Sequence, residues 1–342
     1  MKVAVLQFFS WPERRVPLET VYERAFDRIA IMDSSGYDAV WLAEHHFSTY
    51  SVCPSINLMG THVAARTKNL RIGTGVSLAA FYHPLRLAEE IALLDVLSGG
   101  RVNWGAGRGF DRVEFEAFGV AREDSYPRFH ENVEVVLEAW RSDRLTYEGQ
   151  FYSFNDVEVL PKPAQKPHPP VWMASSSVEA IGWSAQYGYS IMMDPHSSHQ
   201  EIGRKRAFYE EELTKHGHSI EGRDIPMARL LAVGTTHEEA EAIAARGAQW
   251  MFGSYLSPDL NNVISDLRSP ETRAAAEKTR PDNAFDAAQR YLNEVIIYGS
   301  PEEVADKLVQ LEEEISLNYL LLAPLSHTSF VLFTDEVMPR LG

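Results

Sequence analysis

Two imidazoles and a carboxylate stand together directly after an apolar, strand-like run. Residues 39–43 are followed by Glu44, His45, His46 and Phe47. Such groups can act as a general base, donate a hydrogen bond to an anion or bind a metal ion. Neighbouring side chains of an extended chain point to opposite sides, so we expect only one histidine to face a common pocket. Structural or surface histidines are the alternative. Zinc is the weaker interpretation, because no cluster of further ligands is evident.

A second group combines glycine with arginine after another strand-like run. Residues 105–109 read Gly-Ala-Gly-Arg-Gly, with Arg108 as the cation. The glycines allow a ligand to approach the backbone, and a guanidinium offers two parallel hydrogen bonds to phosphate or carboxylate. The spacing fits the dinucleotide-binding fingerprint poorly. The structural alternative is a glycine-rich turn in which Arg108 pairs with Asp111 or Glu114. Small residues at 73–76 would similarly let a flat aromatic ring lie against the backbone.

A run of three serines precedes a helical pattern. Ser175, Ser176 and Ser177 come directly before residues 178–186, whose apolar spacing predicts a helix. One serine would cap the helix, and the unpaired N–H groups of a helix N-terminus bind anions. Capping accounts for one serine and not for three. With Arg108 reaching it from an adjacent strand, this turn is a predicted phosphate site.

These groups follow predicted strands, and the strands alternate with amphipathic helices. The alternation predicts eight βα units around a parallel sheet, and such folds place their sites at the carboxyl ends of the strands. Predicted helices include 18–32, 85–97, 129–140 and 202–216. The predicted strands are 2–9, 39–43, 70–78, 102–105, 171–174, 190–193, 227–234 and 319–323.

Two helix starts carry the capping-box pattern of a hydroxyl residue followed three positions later by glutamate. Ser300 with Glu303 predicts the start of the last long helix, and Thr236 with Glu239 predicts another. We expect Gly247 to end the second of these helices.

Two stretches interrupt the alternation. Residues 147–170 are rich in proline and predict a hairpin followed by an extended return, and residues 257–293 predict an insertion of short helices. Without these insertions the chain keeps the length of an ordinary (β/α)8 TIM barrel, for which ~250 residues are typical and longer chains are common. We therefore expect one barrel domain over residues 1–342 and not two domains.

Composition limits the function classes. The chain has 342 residues, 45% hydrophobic and 23% charged, which is typical of globular proteins. Its net charge of −16 disfavours nucleic acids and anionic membrane surfaces as partners. The single cysteine, Cys53, excludes an internal disulfide, so we expect a reducing compartment, the cytoplasm. We find no secretion signal at residues 3–9 and no apolar run of about 18 residues that predicts a membrane span.

Three long motifs at matching intervals resemble the bacterial luciferase-like flavin monooxygenases. They lie at residues 36–47, at 83–101 and at 105–109. The resemblance covers residues 2 to about 256 and the last unit from residue 300. It implies an eight-fold βα barrel that binds reduced FMN and reacts with O2. A C4a-hydroperoxide would then attack a mostly apolar small molecule such as an aldehyde or ketone. It also implies a separate flavin reductase and a homodimer formed through helices such as 85–97.

The resemblance also assigns residues by position. His45 matches the family's catalytic histidine, with Glu44 beside it in the predicted catalytic group. Arg108 matches the arginine that binds the FMN phosphate, and Ser175, Ser176 and Ser177 fall in the phosphate-binding stretch. Gly75 and Val76 fall at the family's non-proline cis peptide beneath the flavin ring.

The chain departs from luciferase at one reactive position. Luciferase has a cysteine near the flavin where this chain has Gly107, so light emission and the luciferase substrate do not carry over. Two further interpretations stay open: a hydride-transfer enzyme that uses a deazaflavin, and a flavin-binding protein without turnover. Both would keep the fold and the cofactor residues.

Overall fold

The computed structural model describes residues 1–254 and 284–341 of the chain. The chain forms two compact units. One consists of Met1–Leu6 with Ser175–Gly342 and is called the 175–342 unit below; the other is Gln7–Ala174, the 7–174 unit. Most of the predicted insertion at 257–293 lies outside the described residues, and its last part is helical. One domain over residues 1–342 stays a prediction.

The strands are short and mostly buried. In chain order, the described strands are β1 (Lys2–Gln7), β2 (Ala39–Leu42), β3 (Arg71–Thr74), β4 (Ser77–Leu78), β5 (Val102–Gly107), β6 (Leu145–Glu148), β7 (Ser153–Val157), β8 (Val171–Ala174), β9 (Ser190–Met192), β10 (Met227–Val233), β11 (Ile297–Gly299) and β12 (Tyr319–Pro324).

Helices follow most of the strands. The described α-helices are α1 (Leu18–Ser34), α2 (Ile56–Ala64), α3 (Pro84–Ser98), α4 (Arg112–Phe118), α5 (Ser125–Arg141), α6 (Val178–Gln186), α7 (His199–Lys215), α8 (His237–Ser254), α9 (Ala284–Glu294), α10 (Pro301–Ile315) and α11 (His327–Leu332). None of these helices combines the length and the apolar character needed to cross a bilayer.

In the 7–174 unit, β2, β3, β5 and β8 form a parallel sheet. β2 pairs with β3, β3 with β5 and β5 with β8, while β4 also pairs with β5. The predicted strand 70–78 is two strands, β3 and β4, separated by Gly75 and Val76, which a cis peptide bond joins. The predicted hairpin in 147–170 is confirmed, because β6 and β7 are antiparallel.

The hairpin is fixed to α5 by one buried carboxylate. Glu131 on α5 accepts hydrogen bonds from the backbone N–H groups of Gln150, Phe151 and Tyr152, at 3.0, 3.0 and 2.7 Å for the shortest contact of each. A buried carboxylate is stable only when its oxygens find donors. The turn supplies three, so the hairpin and the helix stabilise one another.

In the 175–342 unit the strands are parallel as well. β1 pairs with β12, β12 with β10 and β10 with β11. β11 was not predicted, because its three residues are too few to show a pattern of period two. The capping box of α10 is confirmed: Ser300 and Glu303 satisfy each other's backbone N–H groups.

The prediction that Gly247 ends a helix is wrong, because α8 continues to Ser254. A Cβ atom at position 247 would lie 2.7 Å from Leu325 Cδ1. Gly247 therefore lets α8 approach the segment after β12 closely, and its lack of a side chain serves packing and not helix termination.

Candidate active site

Glu44 lies at the end of β2 and is surrounded by hydrogen-bond donors. Its Oε1 is 3.0 Å from His46 Nε2 and accepts a hydrogen bond from Tyr82 Oη at 2.9 Å. Oε2 accepts from the backbone N–H of Leu78 at 3.3 Å. Burial raises the pKa of Glu44 above its ordinary value, although these donors oppose the shift. Glu44 thus binds the β2 loop to β4 and fixes the His46 ring.

His45 points to a different set of groups, as expected for neighbours in an extended chain. Its Nδ1 lies 3.7 Å from Oε1 of Glu114, and the two side chains are 11% and 1% exposed. The rings of Phe8, Tyr50 and Phe110 lie 6.4, 4.9 and 6.2 Å from the His45 ring, measured between centroids. His45 therefore combines one carboxylate with an aromatic surrounding.

Glu114 was considered from sequence only as a partner of Arg108. The structure instead places it at the third position of α4, after the N-cap Asp111, with its carboxylate against His45 and His46. Oε1 accepts the backbone N–H of His46 at 2.9 Å. The available sequence signal was an acidic residue in the first turn of a helix. The sequence spacing does not show that this residue contacts His45 and His46.

The glycines of β3 and β5 contact protein groups. A Cβ atom on Gly73 would lie 2.2 Å from Trp41 Cδ2, and one on Gly105 would lie 2.1 Å from the Thr74 carbonyl oxygen. The flat ring against Gly73 is thus the fully buried Trp41, which corrects the expectation of a ligand ring at that residue. Trp41 packs edge-on against Trp172, and both rings are buried.

Gly75 and Val76 are joined by the non-proline cis peptide that the resemblance implied. The Val76 side chain fills the space beside Gly107: a Cβ atom there would lie 2.5 Å from Val76 Cγ2 and 3.3 Å from Ala174 Cβ. A cysteine at position 107 would therefore collide with Val76. This contact gives a physical reason for a glycine at position 107.

Arg108 is half-buried and lies against an aromatic ring and a hydroxyl group. Its guanidinium carbon lies 4.2 Å from the centroid of the Tyr126 ring, and Nη1 donates to Ser125 Oγ at 2.9 Å. In the described part of the chain no acidic oxygen lies within 4 Å of it, so the structural alternative, an ion pair with Asp111 or Glu114, is wrong. Burial lowers the pKa of Arg108, and repulsion from Arg122 adds to that effect.

The three serines of the β8 to α6 turn have different roles. Ser177 caps α6 by accepting from the N–H of Ala180 at 3.2 Å. The hydroxyl of Ser175 lies 3.0 Å from that of Ser184. Ser176 is half-buried, and its hydroxyl has no protein partner within the residues described. The structure thus leaves Ser176 and the first N–H groups of α6 as hydrogen-bond donors.

A buried polar cluster in the 175–342 unit was not predicted. Lys205 Nζ lies 3.1 Å from Asp194 Oδ2, and Arg229 donates to the Asp194 carbonyl at 2.9 Å and to the Ser197 carbonyl at 2.8 Å. Lys205 and Arg229 have no exposed surface. His199 lies 3.4 Å from Arg229.

The remaining groups offer little chemistry. Burial raises the pKa of the Cys53 thiol to about 12, and only the thiolate is a strong nucleophile. Across residues 1–254 and 284–341, no three histidine, cysteine or acidic side chains are grouped as metal ligands.

Comparison with known sequences identifies related proteins. Residues 1–316 match the luciferase-like monooxygenase family. The chain is 34% identical over 320 residues to the uncharacterized protein y4wF of Sinorhizobium fredii, covering 91% of this chain and 89% of that protein. It is 27% identical over 292 residues to the oxygenase component of flavin-dependent trigonelline monooxygenase from Acinetobacter baylyi, covering 81% and 80%.

Several solved structures share this fold. Monooxygenase RslO1 from Streptomyces bottropensis superposes with a TM-score of 0.81 at 24% identity, covering 100% of both chains. The oxygenating constituent of 3,6-diketocamphane monooxygenase from Pseudomonas putida, in complex with FMN, gives 0.82 at 18% identity, with 100% and 99% covered. The coenzyme F420-dependent tetrahydromethanopterin reductase from Methanopyrus kandleri gives 0.75 at 19% identity, with 100% and 99% covered. The predicted α/β fold class, a (β/α)8 TIM barrel, is confirmed.

Proposed function

The chain belongs to the luciferase-like monooxygenase family, and on that premise we propose that it uses reduced FMN and O2 to oxygenate a small, mostly apolar organic molecule. An aldehyde or a ketone is the substrate class we favour. The observation that carries the proposal is the His45 side chain, which faces the buried carboxylate of Glu114 and is otherwise surrounded by aromatic rings.

The described residues fit the chemistry of FMN. The phosphate is an anion, and Arg108 is a half-buried cation without a carboxylate partner in the described ranges; an anion would offset the cost of its burial. In the 175–342 unit, the N-terminus of α6 and the Ser176 hydroxyl offer donors of the kind that anions accept. We assign contacts with the cofactor to Arg108, to Gly75 and Val76, and to Ser175, Ser176 and Ser177. When bound, reduced FMN supplies the electrons that activate O2.

The protein's own groups handle protons and exclude water. His45 exchanges a proton at one of its ring nitrogens, the role in which imidazole works near neutral pH. The half-buried rings of Phe8 and Phe110 offer apolar contact to a substrate beside it. Glu44 holds His46 and the β4 backbone and so keeps the loop after β2 in place.

We also propose a reductase partner, a cellular compartment and an oligomeric state. A separate flavin reductase supplies the reduced cofactor, as the printed name of the Acinetobacter relative, an oxygenase component, suggests for that protein. The chain works in the cytoplasm. It forms a homodimer through α2 and α3, where Leu58, Leu93, Val96 and Leu97 are 76, 47, 45 and 57% exposed.

One titration tests the cofactor. The purified protein is titrated without oxygen with FMN, reduced FMN and a deazaflavin, and oxygen is then admitted while the spectrum is followed. The proposal expects binding of reduced FMN and a transient absorbance before oxidised FMN appears. Exclusive binding of the deazaflavin would instead support hydride transfer. Tight flavin binding without any reaction with oxygen would indicate a flavin carrier, and either result contradicts the proposal.

A substitution tests the role of His45. His45→Asn should lower the rate of oxygenation by about 10²- to 10⁴-fold, the usual contribution of a general acid or base, while the dissociation constant for reduced FMN stays nearly unchanged. The matched control is His216→Asn, which removes an exposed histidine and should leave the rate unaltered. If His45→Asn oxygenates as fast as the native chain, the catalytic assignment is wrong.

A further inference from the structure

Glu114 is a buried acid with an unusual shortage of donors. Its side chain is 1% exposed. Oε1 accepts one hydrogen bond, from the backbone N–H of His46 at 2.9 Å. Oε2 is buried, and within the residues described it has no hydrogen-bond partner. A buried carboxylate with too few donors is costly, so a nearby group that can donate a proton to it is strongly favoured.

His45 is such a group. Its Nδ1 lies 3.7 Å from Oε1 of Glu114, slightly longer than a hydrogen bond, and contacts of this kind often shorten when a site is filled. A neutral imidazole carries its proton on one nitrogen and a lone pair on the other. With the proton on Nδ1, His45 can donate to Glu114; with the lone pair there, two acceptors would face each other.

The neighbouring acid does not compete for this role. Glu44 already receives the His46 ring, the Tyr82 hydroxyl and the Leu78 N–H. The two histidines of the loop after β2 therefore face separate carboxylates: His46 faces Glu44 of the same loop, and His45 faces Glu114 of α4.

We propose that Glu114 is a positioning residue that holds the proton of His45 on Nδ1, so that Nε2 carries the lone pair and accepts protons. This inference rests on the proposed function and deepens it, because it makes His45 a base at Nε2. An orienting carboxylate of this kind selects the tautomer and the orientation of the ring, and it stabilises the imidazolium that forms after proton uptake.

The test measures the tautomer directly, without flavin or turnover. The chain is labelled with ¹⁵N-histidine, and its 12 histidines are resolved by ¹⁵N and ¹H correlation spectra near neutral pH; the His45 signals are those lost in His45→Asn. We expect His45 to carry its proton on Nδ1 in the native chain. A native His45 with its proton on Nε2 overturns the inference, and this measurement needs no Glu114 variant.

Two isosteric variants then separate the pairs. Glu114→Gln should shift His45 toward the other tautomer and leave the His46 signals in place, whereas Glu44→Gln should move the His46 signals and leave the His45 tautomer unchanged. An unchanged His45 tautomer in a folded Glu114→Gln chain, checked by its thermal melting, means that Glu114 only anchors the His46 backbone.

Kinetics distinguish failure of the inference from failure of the proposed function. Glu114→Gln should lower kcat by at least ~10-fold with little change in KM, as expected when a base keeps its place but loses its orienting acid. If the native tautomer is the expected one but neither His45→Asn nor Glu114→Gln slows oxygenation, the proposed catalytic role fails while the pairing stands. A His45→Asn defect with an unaltered Glu114→Gln enzyme overturns the positioning role alone.

Discussion

Gly107 and Val76 form a contact that allows no added atoms on the glycine. A Cβ atom at position 107 would lie 2.5 Å from Val76 Cγ2, and forcing a methyl group into a packed site costs about 1–3 kcal/mol. We therefore expect Gly107→Ala to lower the free energy of unfolding by that amount. Urea denaturation of the native chain and the variant measures the difference.

If the collision with Val76 causes this loss, the effects of substitutions at positions 76 and 107 on the free energy of unfolding should be coupled. In the double variant Gly107→Ala with Val76→Ala, the collision is removed, so the two changes together should cost less than the sum of the single changes. Gly182 in α6 is the matched control: a Cβ atom there meets nothing within 4 Å, so Gly182→Ala should stabilise by about 0.5–1 kcal/mol. Additive losses at positions 76 and 107 would rule out the steric account.

The types and spacing of residues predict the chemistry of a site well, but they predict poorly which residues contact one another. The Glu44, His45, His46 motif indicates a site because its residues are adjacent in sequence. The partners of those residues are distant: Glu114 reaches them from α4, and Trp41 covers Gly73 from the neighbouring strand. Which atoms meet depends on the register of the strands and on side-chain rotamers, and neither leaves a local pattern.

The polar cluster around Asp194 makes the packing of β9, α7 and β10 sensitive to acid. Burial, with repulsion from Arg229 and Lys307, lowers the pKa of His199 from 6.5 to about 3. The folded chain keeps His199 neutral at pH values where the unfolded chain protonates it. Stability is therefore lost as the pH falls below about 6.5, by at most about 1.4 kcal/mol per pH unit.

The variant His199→Asn removes this titration. Between pH 7.5 and pH 5 its free energy of unfolding should fall by up to about 2 kcal/mol less than that of the native chain. Other groups act equally on both proteins: Glu44, whose pKa is raised, contributes with the opposite sign, and Asp194, whose pKa is lowered, acts mainly below pH 4. Urea denaturation at the two pH values gives the comparison, with His216→Asn as an exposed control. Parallel losses in the His199 variant and the native chain would contradict the assignment.

Elements with long periodic patterns were predicted closely from sequence, and short ones were not. The helices predicted at 18–32 and 85–97 match α1 and α3 to within two residues at each end, and the Ser300 capping box is present. β11 was missed, and the interruption between β3 and β4 was read as one strand. A three-residue strand is defined by its hydrogen-bonded neighbours, which a local window does not contain. Gly247 shows the same limit. The need for a glycine there comes from the distant side chain of Leu325, which a local sequence window does not contain.

For the whole molecule we predict self-association through two helices. Helices α2 and α3 expose Leu58, Leu93, Val96 and Leu97, which we name the α2/α3 patch. Helices α2 and α3 pack against each other, and large exposed apolar side chains grouped on neighbouring helices are typical of interfaces. The net charge of −16 opposes association, so apolar burial must supply the attraction. A stable dimer needs about 800 Å² from each partner, and the patch would form its apolar centre.

Charge placed in the patch should therefore separate the protomers. Leu93→Asp with Leu97→Asp would bury two carboxylates in an apolar contact of an already acidic dimer, so we expect at least a ~100-fold weaker association, since each lost leucine contact is worth about 1.5–3 kcal/mol. Sedimentation equilibrium over a range of protein concentrations measures it. The control is Val309→Asp on α10, where an apolar side chain of similar exposure, 46%, lies outside the patch. A native chain that stays monomeric at every concentration, or a patch variant that dimerises as tightly as the control, would place the dimer interface elsewhere or exclude it.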